Sequence, residues 1–441
     1  METFAPFQKP WPRISGAAFF HADRFSRPFS RMMLMSQDLS NSRRFGPETL
    51  SLDAGLEIDP TTRAIVPNMS MSVNNTLVPG EGAFSAQGVD DLADLPFLYA
   101  RWTNPTVRQL EKRLAALEGA EEALASATGM SAIAGMFFTL LKAGDHLIVS
   151  DVCYAGATEL AQRVLPDFGI EVTPVNMSRI EYVAAAIRPN TRLIHCENPA
   201  NPILRLTDLK AVSDLAHAHG VLVSVDSTFA TPVGTRPIEF GVDLVIHSLT
   251  KFINGHGDTL GGVICGRKEL VAKIRSRAGV YLGAALSPQS AWLIMRGVDT
   301  LYPRMRAMSE SALKVARFLE GHPAVTRVIY PGLESHPQHD LAKRQMDVFG
   351  GMIAFQSHDP QAVALRFARE LQVVHYAFSL GHQRSLVVLL DTDEMMRSTF
   401  RLEGAQLEDY RTYAGDAVFR LSIGLETAED IIADLDRGLT G

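Results

Sequence analysis

DLKAVSDLAHAHGVLVSVDS, residues 208–227, sets a helix against a strand, and its reading decides the fold. The first part reads as an amphipathic helix stopped by Gly220, and VLVSVDS as a strand apolar on both faces. The alternation continues upstream. NPTVRQLEKRLAALEG (104–119) places Val107, Leu110, Leu114 and Leu117 at helical period and ends at Gly119. GMSAIAGMFFTLLKAGD (129–145) reads as a buried helix, followed by strand HLIVSD, a helix near 157–165, strand EVTPV, a helix near 178–188 and strand RLIHCEN. Downstream, DLVIHSL and LGGVICG add two further apolar runs. Strands buried on both faces and separated by amphipathic helices predict an α/β fold, a mostly parallel sheet covered on both sides. Its ligand crevice should lie at the carboxyl ends of the strands. After about Gly283 the pattern changes to a long helix near 304–321, strands VTRVIY, GMIAFQS, SLVVLL and VFRLSIGL, and a closing helix AEDIIADLDRGL. That predicts a second, smaller α/β domain with an antiparallel sheet.

Composition narrows the function classes. The 441 residues are 46% apolar and 21% charged, the balance of a globular protein long enough for two or three domains. A net charge of -7 gives no footprint for nucleic acid, and no apolar run has the length of a membrane span. The cysteines Cys153, Cys196 and Cys265 form no CxxC pair and no metal-ligand spacing, so a reducing, cytoplasmic setting without a metal site is expected. Residues 1–45 are rich in Arg, Ser, Phe and Pro, aperiodic, and lack a signal-peptide apolar core. They read as a disordered extension or an early start, with a faint likeness to an organelle transit peptide.

The chemistry gathers in VSVDSTFATP (223–232) and IHSLTKFINGHGD (246–258). Asp226 ends one strand and Lys251 follows the next, so both should project into the crevice. A desolvated lysine suits a Schiff base to an aldehyde cofactor, and a buried aspartate suits a protonated pyridine nitrogen. Taken singly, a DxT or a TK is better read as a helix cap and a surface lysine; the combination points to the cofactor. GHGDTLGG (255–262) fails as a dinucleotide loop, because its glycines are misspaced and a strand follows. His247 and His256 have no H-x-x-x-H or cysteine partner and read as packing and loop-shaping residues.

HSLTKFINGHGD, ENPANP (197–202) and FRLSIGLE (419–426) resemble the signatures of the Cys/Met-metabolism family of pyridoxal-phosphate enzymes, and the resemblance runs from about residue 50 to 440. It implies the type I, aspartate-aminotransferase-like fold, pyridoxal 5′-phosphate on Lys251, and a homotetramer built as a dimer of dimers. By the same resemblance Asp226 holds the ring nitrogen and Asn201 the ring oxygen. SATGMSAI (126–133) puts the backbone N–H groups of Gly129 and Met130 at a helix start, where they and the hydroxyls of Ser248 and Thr250 would bind the phosphate. Tyr99 and Arg101, in YARWTNPT (99–106), would reach the phosphate of a neighbouring subunit. Tyr154 would stack on the ring and exchange a proton near the leaving group, while Arg420 and Ser379 bind the substrate carboxylate. The implied organisation is an arm at 46–104, a cofactor domain at 105–283 and a small domain at 284–441.

The implied reaction is γ-elimination, or γ-substitution by water, on an L-amino acid such as methionine, an O-substituted homoserine or canavanine. Lys251 would be the base. Gamma-replacement, as in cystathionine γ-synthase or an O-acylhomoserine sulfhydrylase, and cystathionine β-lyase chemistry remain alternatives, and a cofactor-less binding protein is the third class. This sequence departs from the family at four places. Thr158 lies four residues after Tyr154 rather than three, and no cysteine follows that tyrosine closely. Phe378 stands where cystathionine-handling members carry Glu, and LLDTDEMM (389–396) replaces the usual H-P-A-x-x-T-H. Asp391, Asp393 or Glu394 at the pocket mouth would favour a basic or polar distal group; the alternative is a solvated acidic loop.

Overall fold

The computed structural model describes residues 45–86 and 88–440, so the expectations placed on residues 1–44 lie outside the described residues. Helix Pro105–Glu118 shows why the periodic stretches fold where they do. Asn104 caps it by accepting the N–H groups of Thr106 and Val107, Pro105 opens it, and Gly119 closes it with φ +71°. The helices Gly129–Leu140, Leu209–Ala218, Leu301–Gly321 and Ala428–Thr440 fall on the predicted stretches. The helix expected near 157–165 is shorter, Ala155–Glu159, and passes into a π turn over Leu160–Val164.

Seven strands, β1 (Glu122–Ser126), β2 (His146–Ser150), β3 (Glu171–Val175), β4 (Thr191–Glu197), β5 (Leu222–Asp226), β6 (Leu244–Ser248) and β7 (Gly262–Gly266), form one sheet in the order β1-β7-β6-β5-β4-β2-β3. The strands from β3 to β6 run parallel and β7 is antiparallel to both its neighbours. The mostly parallel expectation therefore holds. Alternate residues of β6 divide between two layers: Leu244 and Ile246 pack with the 129–140 helix, and Val245 with the 209–218 helix. The edge strand β3 tolerates Pro174, which a central strand would not. Strand β1 went unread in the sequence because EALAS is short and alanine-rich.

A second sheet holds β8 (Val325–Ile329), β9 (Met352–Ser357), β10 (His375–Tyr376), β11 (Leu386–Asp391) and β12 (Ala417–Ser422), in the order β10-β11-β12-β9-β8. All pairs but β10–β11 are antiparallel. Phe355 of β9 and Phe419 of β12 stack with centroids 4.9 Å apart, with Phe367 of the covering helix Pro360–Glu370 against them. Both sheets lie within one compact unit.

Asn104 is buried and also donates to the carbonyl of Ser70, tying the preceding segment to the 105–118 helix. Asn104→Ala should therefore destabilise the cofactor-free protein by about 1–2 kcal/mol. Chemical denaturation checks this, and an unchanged midpoint would contradict the capping account.

Candidate active site

The carboxyl ends of the parallel strands open into a cavity of about 610 Å³. After β2 comes Tyr154; Glu197 ends β4 and Asn201 follows it; Asp226 ends β5 and Thr228 follows it; Ser248 ends β6, with Thr250 and Lys251 after it. Gly129 and Met130 enter from the 129–140 helix, and Ser379 and Arg420 close the far side from the second sheet. Ten of the twelve residues singled out in the sequence thus line one cavity. Tyr99 and Arg101 do not. Arg101 lies over the Tyr99 ring and donates to the carbonyl of Val280 (2.7 Å), lining a separate small cavity.

Lys251 sits in the turn after β6, and its Nζ donates to Ser379 Oγ at 3.0 Å. Burial first, and the Arg420 cation second, hold its pKa below the ordinary lysine value. Ser379 adopts φ +83°, and the SLG segment lies directly on the lysine turn. A Cβ on Gly381 would stand 2.6 Å from the Phe252 nitrogen and 3.0 Å from the Lys251 carbonyl carbon, so only glycine permits this approach.

Asp226 is buried, and its Oδ1 accepts both the N–H (3.0 Å) and the hydroxyl of Thr228. The Thr228 hydroxyl in turn accepts the Ser248 N–H (2.9 Å), joining the ends of β5 and β6. Glu197 faces Asp226 in register across β4–β5 and accepts the N–H groups of Tyr154 and Asn201 (3.2 Å). Burial pushes both carboxyls up, and for Glu197 the neighbouring Asp226 adds to the push. A buried ion pair of Asp151 and Arg205 links the segments that carry Tyr154 and Asn201. Arg420 donates to Asn201 Oδ1 (3.0 Å) and to the Ser379 carbonyl (3.2 Å).

At the other end Thr128 caps the 129–140 helix with a reciprocal Thr128–Ser131 capping box. Gly129 abuts Ser248: a Cβ there would lie 3.0 Å from the Ser248 Cβ and 3.2 Å from its Oγ. Bare backbone N–H groups and a hydroxyl therefore meet at a helix N-terminus, an anion cradle.

Of the two readings of the acidic segment, the structure fits the solvated loop: Asp391, Asp393 and Glu394 do not line the cavity. Asp391 caps the Glu394 N–H (2.9 Å), and Asp393 pairs with Arg411 (2.6 Å). What that segment presents to the cavity is apolar: Leu390, Met395 and Phe400. Sequence reasoning also missed Glu197 and Thr228 as organising groups. The glutamate of ENPANP and the threonine of DST were visible, but their tasks depend on backbone N–H groups that only the fold supplies. His247 pairs with the buried Glu118, and His256 Nδ1 closes on the Asn254 carbonyl (2.6 Å), so both shape the scaffold.

Residues 48–440 match the model of the Cys/Met metabolism PLP-dependent enzyme family. The chain belongs to that family. It is 41% identical over 408 residues to a canavanine gamma-lyase of Pseudomonas canavaninivorans, covering 92% of this chain and 99% of that protein. An L-methionine gamma-lyase of Fusobacterium nucleatum subsp. polymorphum is 43% identical over 353 residues, 79% of this chain and 87% of the relative. The crystal structure of metB from Corynebacterium glutamicum superposes with a TM-score of 0.81 at 34% identity, over 90% of this chain and 98% of that one. The fold is the type I fold of pyridoxal-phosphate enzymes, and this Cys/Met-family chain is a pyridoxal 5′-phosphate enzyme. Its donor set fits the cofactor. The 129–140 N-terminus with Ser248 and Thr250 matches the phosphate, Lys251 the aldehyde, and the Asp226 oxygen that takes no donor among the described residues matches the ring nitrogen.

The electrostatics make a signed prediction. Capture of the free aldehyde needs a neutral Lys251 amine, so its rate rises with pH through the pKa of Lys251. Arg420→Gln removes a cation that depresses this pKa, and the midpoint of the capture profile should move to higher pH. Visible absorbance after mixing cofactor with cofactor-free protein reads it; a midpoint that stays put or moves down refutes the coupling.

Proposed function

We propose that this enzyme catalyses γ-elimination on L-amino acids that carry an uncharged γ-heteroatom substituent. The observation that carries the reading is the lining of the cavity: besides Lys251 and Arg420 it includes the apolar Leu390, Met395 and Phe400, and its volume of about 610 Å³ leaves room for a side chain extending to a γ-substituent. The canavanine and methionine gamma-lyases similar to this chain support γ-elimination, and the restriction to uncharged substituents rests on the apolar wall alone.

In this reading Arg420 binds the α-carboxylate with a forked pair of N–H donors, assisted by Ser379. Pyridoxal phosphate, when bound, supplies the electron sink that acidifies the Cα and then the Cβ protons. Lys251, whose pKa burial and Arg420 lower toward the neutral amine, takes each proton in turn. The Tyr154 hydroxyl gives a proton to the departing heteroatom, and Glu197 fixes that tyrosine through its backbone. The balance is one substrate and one water giving the protonated leaving group, ammonium and a four-carbon 2-oxo acid.

The same reading assigns 46–104 as an arm to a neighbouring subunit, 105–283 as the cofactor domain and 284–441 as the small domain, in a homotetramer. The arm's exposed Ile65 (72%) and Val66 (63%) and the position of Tyr99 and Arg101 away from their own cavity support it. Three buried, unpaired cysteines accord with a cytoplasmic setting.

Gamma-replacement is the second reading, favoured by Tyr154 and Phe378 being exposed at the cavity mouth, where a thiol could enter. Product analysis separates the two. Ammonia and 2-oxo acid from methionine or O-acetylhomoserine, undiminished by added homocysteine or cysteine, is expected; a thioether as main product would favour replacement. The apolar wall further predicts kcat/KM for methionine at least about 10-fold above that for canavanine, a loss of roughly 1.4 kcal/mol at the transition state. Equal or reversed values would overturn the uncharged-substituent assignment.

A further inference from the structure

The turn that carries Lys251 leaves a run of backbone carbonyls to be satisfied, some from within the turn and four from outside it. The Gly255 N–H takes the Lys251 carbonyl (2.8 Å), and His256 takes that of Asn254. The next two are held by one side chain. Arg304, on the 301–321 helix, donates from Nη1 to the Phe252 carbonyl (2.7 Å) and from Nη2 to the Ile253 carbonyl (3.1 Å). The same Nη2 reaches the Gly297 carbonyl (2.7 Å), and Nε donates to Thr300 Oγ1 (3.1 Å). Gln383, with its amide nitrogen turned to the loop, donates to the carbonyls of Gly255 (2.9 Å) and His256 (3.3 Å).

Arg304 is an unusual cation. It is 6% exposed, and no carboxylate among the described residues pairs with it in the ion pairs found. Burial alone pushes its pKa down to about 10. A buried charge is normally held by an opposite charge; here carbonyl dipoles do that work. The backbone is shaped around it. A Cβ on Gly255, which has φ +73°, would stand 2.0 Å from Arg304 Nη1, and a Cβ on Gly297 would stand 2.3 Å from the Asn254 carbonyl oxygen. Two glycines thus let the turn close on the guanidinium. On its other face the turn meets Gly381 and Ser379, whose hydroxyl receives the lysine amine.

We propose that Arg304 is a positioning residue for Lys251: its planar fork locks the turn beneath the lysine, so that the amine meets the cofactor aldehyde at the reactive angle. The chemistry selects arginine. A lysine ammonium is a point donor on a flexible stem and does not span two successive carbonyls while holding Gly297 and Thr300. The proposal rests on cofactor attachment at Lys251 and is independent of whether the reaction is elimination or replacement.

The test follows covalent capture of pyridoxal phosphate by the cofactor-free full-length protein, at saturating cofactor, by visible absorbance. Arg304→Lys should slow the first-order capture step at least about 10-fold, as expected for a misplaced reacting group, in protein whose circular dichroism and melting are those of a folded chain. Thr300→Val removes the acceptor of Nε and the hydroxyl's own bond to the Gly297 carbonyl (3.3 Å), and should slow capture by about 2- to 3-fold with an unchanged melting temperature. Capture within twofold of wild type in folded Arg304→Lys would overturn the proposal. Should Arg304→Lys fail to fold, Thr300→Val decides: slowed capture at unchanged melting supports the positioning role, and unchanged capture overturns it.

Discussion

Lys251 and Arg420 put two basic groups in one cavity, and beside them lie two buried acids, Asp226 and Glu197, in register on adjacent strands. Water cannot screen this arrangement as it would at a surface, so the groups settle their protonation against one another. The lysine, desolvated and next to the Arg420 guanidinium, has its pKa pushed down, which favours the neutral amine. A neutral amine is what attacks an aldehyde and later removes a proton from carbon. The reactivity of Lys251 follows from where the fold places it.

That placement needs both sheets. The seven-stranded sheet supplies the acids, the anion cradle and the lysine turn from the ends of its parallel strands. The five-stranded sheet supplies Arg420 and its neighbours, and the SLG segment that lies against the lysine turn. Around the site the contacts that join them are polar: Arg420 to Asn201, Ser379 to Lys251, Gln383 to the turn carbonyls. Each is buried or half-buried, where losing one partner strands the other. Gly381 and Ser379, the two positive-φ positions of that segment, mark where the backbone gives up conformational ease to make the approach.

Much of this was legible in the sequence for a physical reason. Strands β2 and β4 to β7 were readable because they are buried on both faces, and the 105–118 helix because its cap, period and terminal glycine agree. Lys251 and Asp226 were readable because consecutive strand ends converge on one crevice. The illegible parts depend on tertiary context. Strand β1 and the two-residue β10 carry too little pattern of their own. Glu197 acts through backbone N–H groups 43 and 4 residues away in the chain. The acidic run at 391–394 left two readings open, a pocket mouth or a solvated loop, because charge is visible in a sequence and its partner is not. Asp391 is spent on a helix cap and Asp393 on Arg411, while apolar Met395 and Phe400 turn inward.

The central claim, that Lys251 is the amine that holds the cofactor, is tested most directly by reducing the holoenzyme with borohydride and mapping the pyridoxyl group by peptide mass spectrometry. The structure predicts the label on Lys251 and its disappearance in Lys251→Ala. A label on another lysine, or persistence of the label in that variant, would contradict the account.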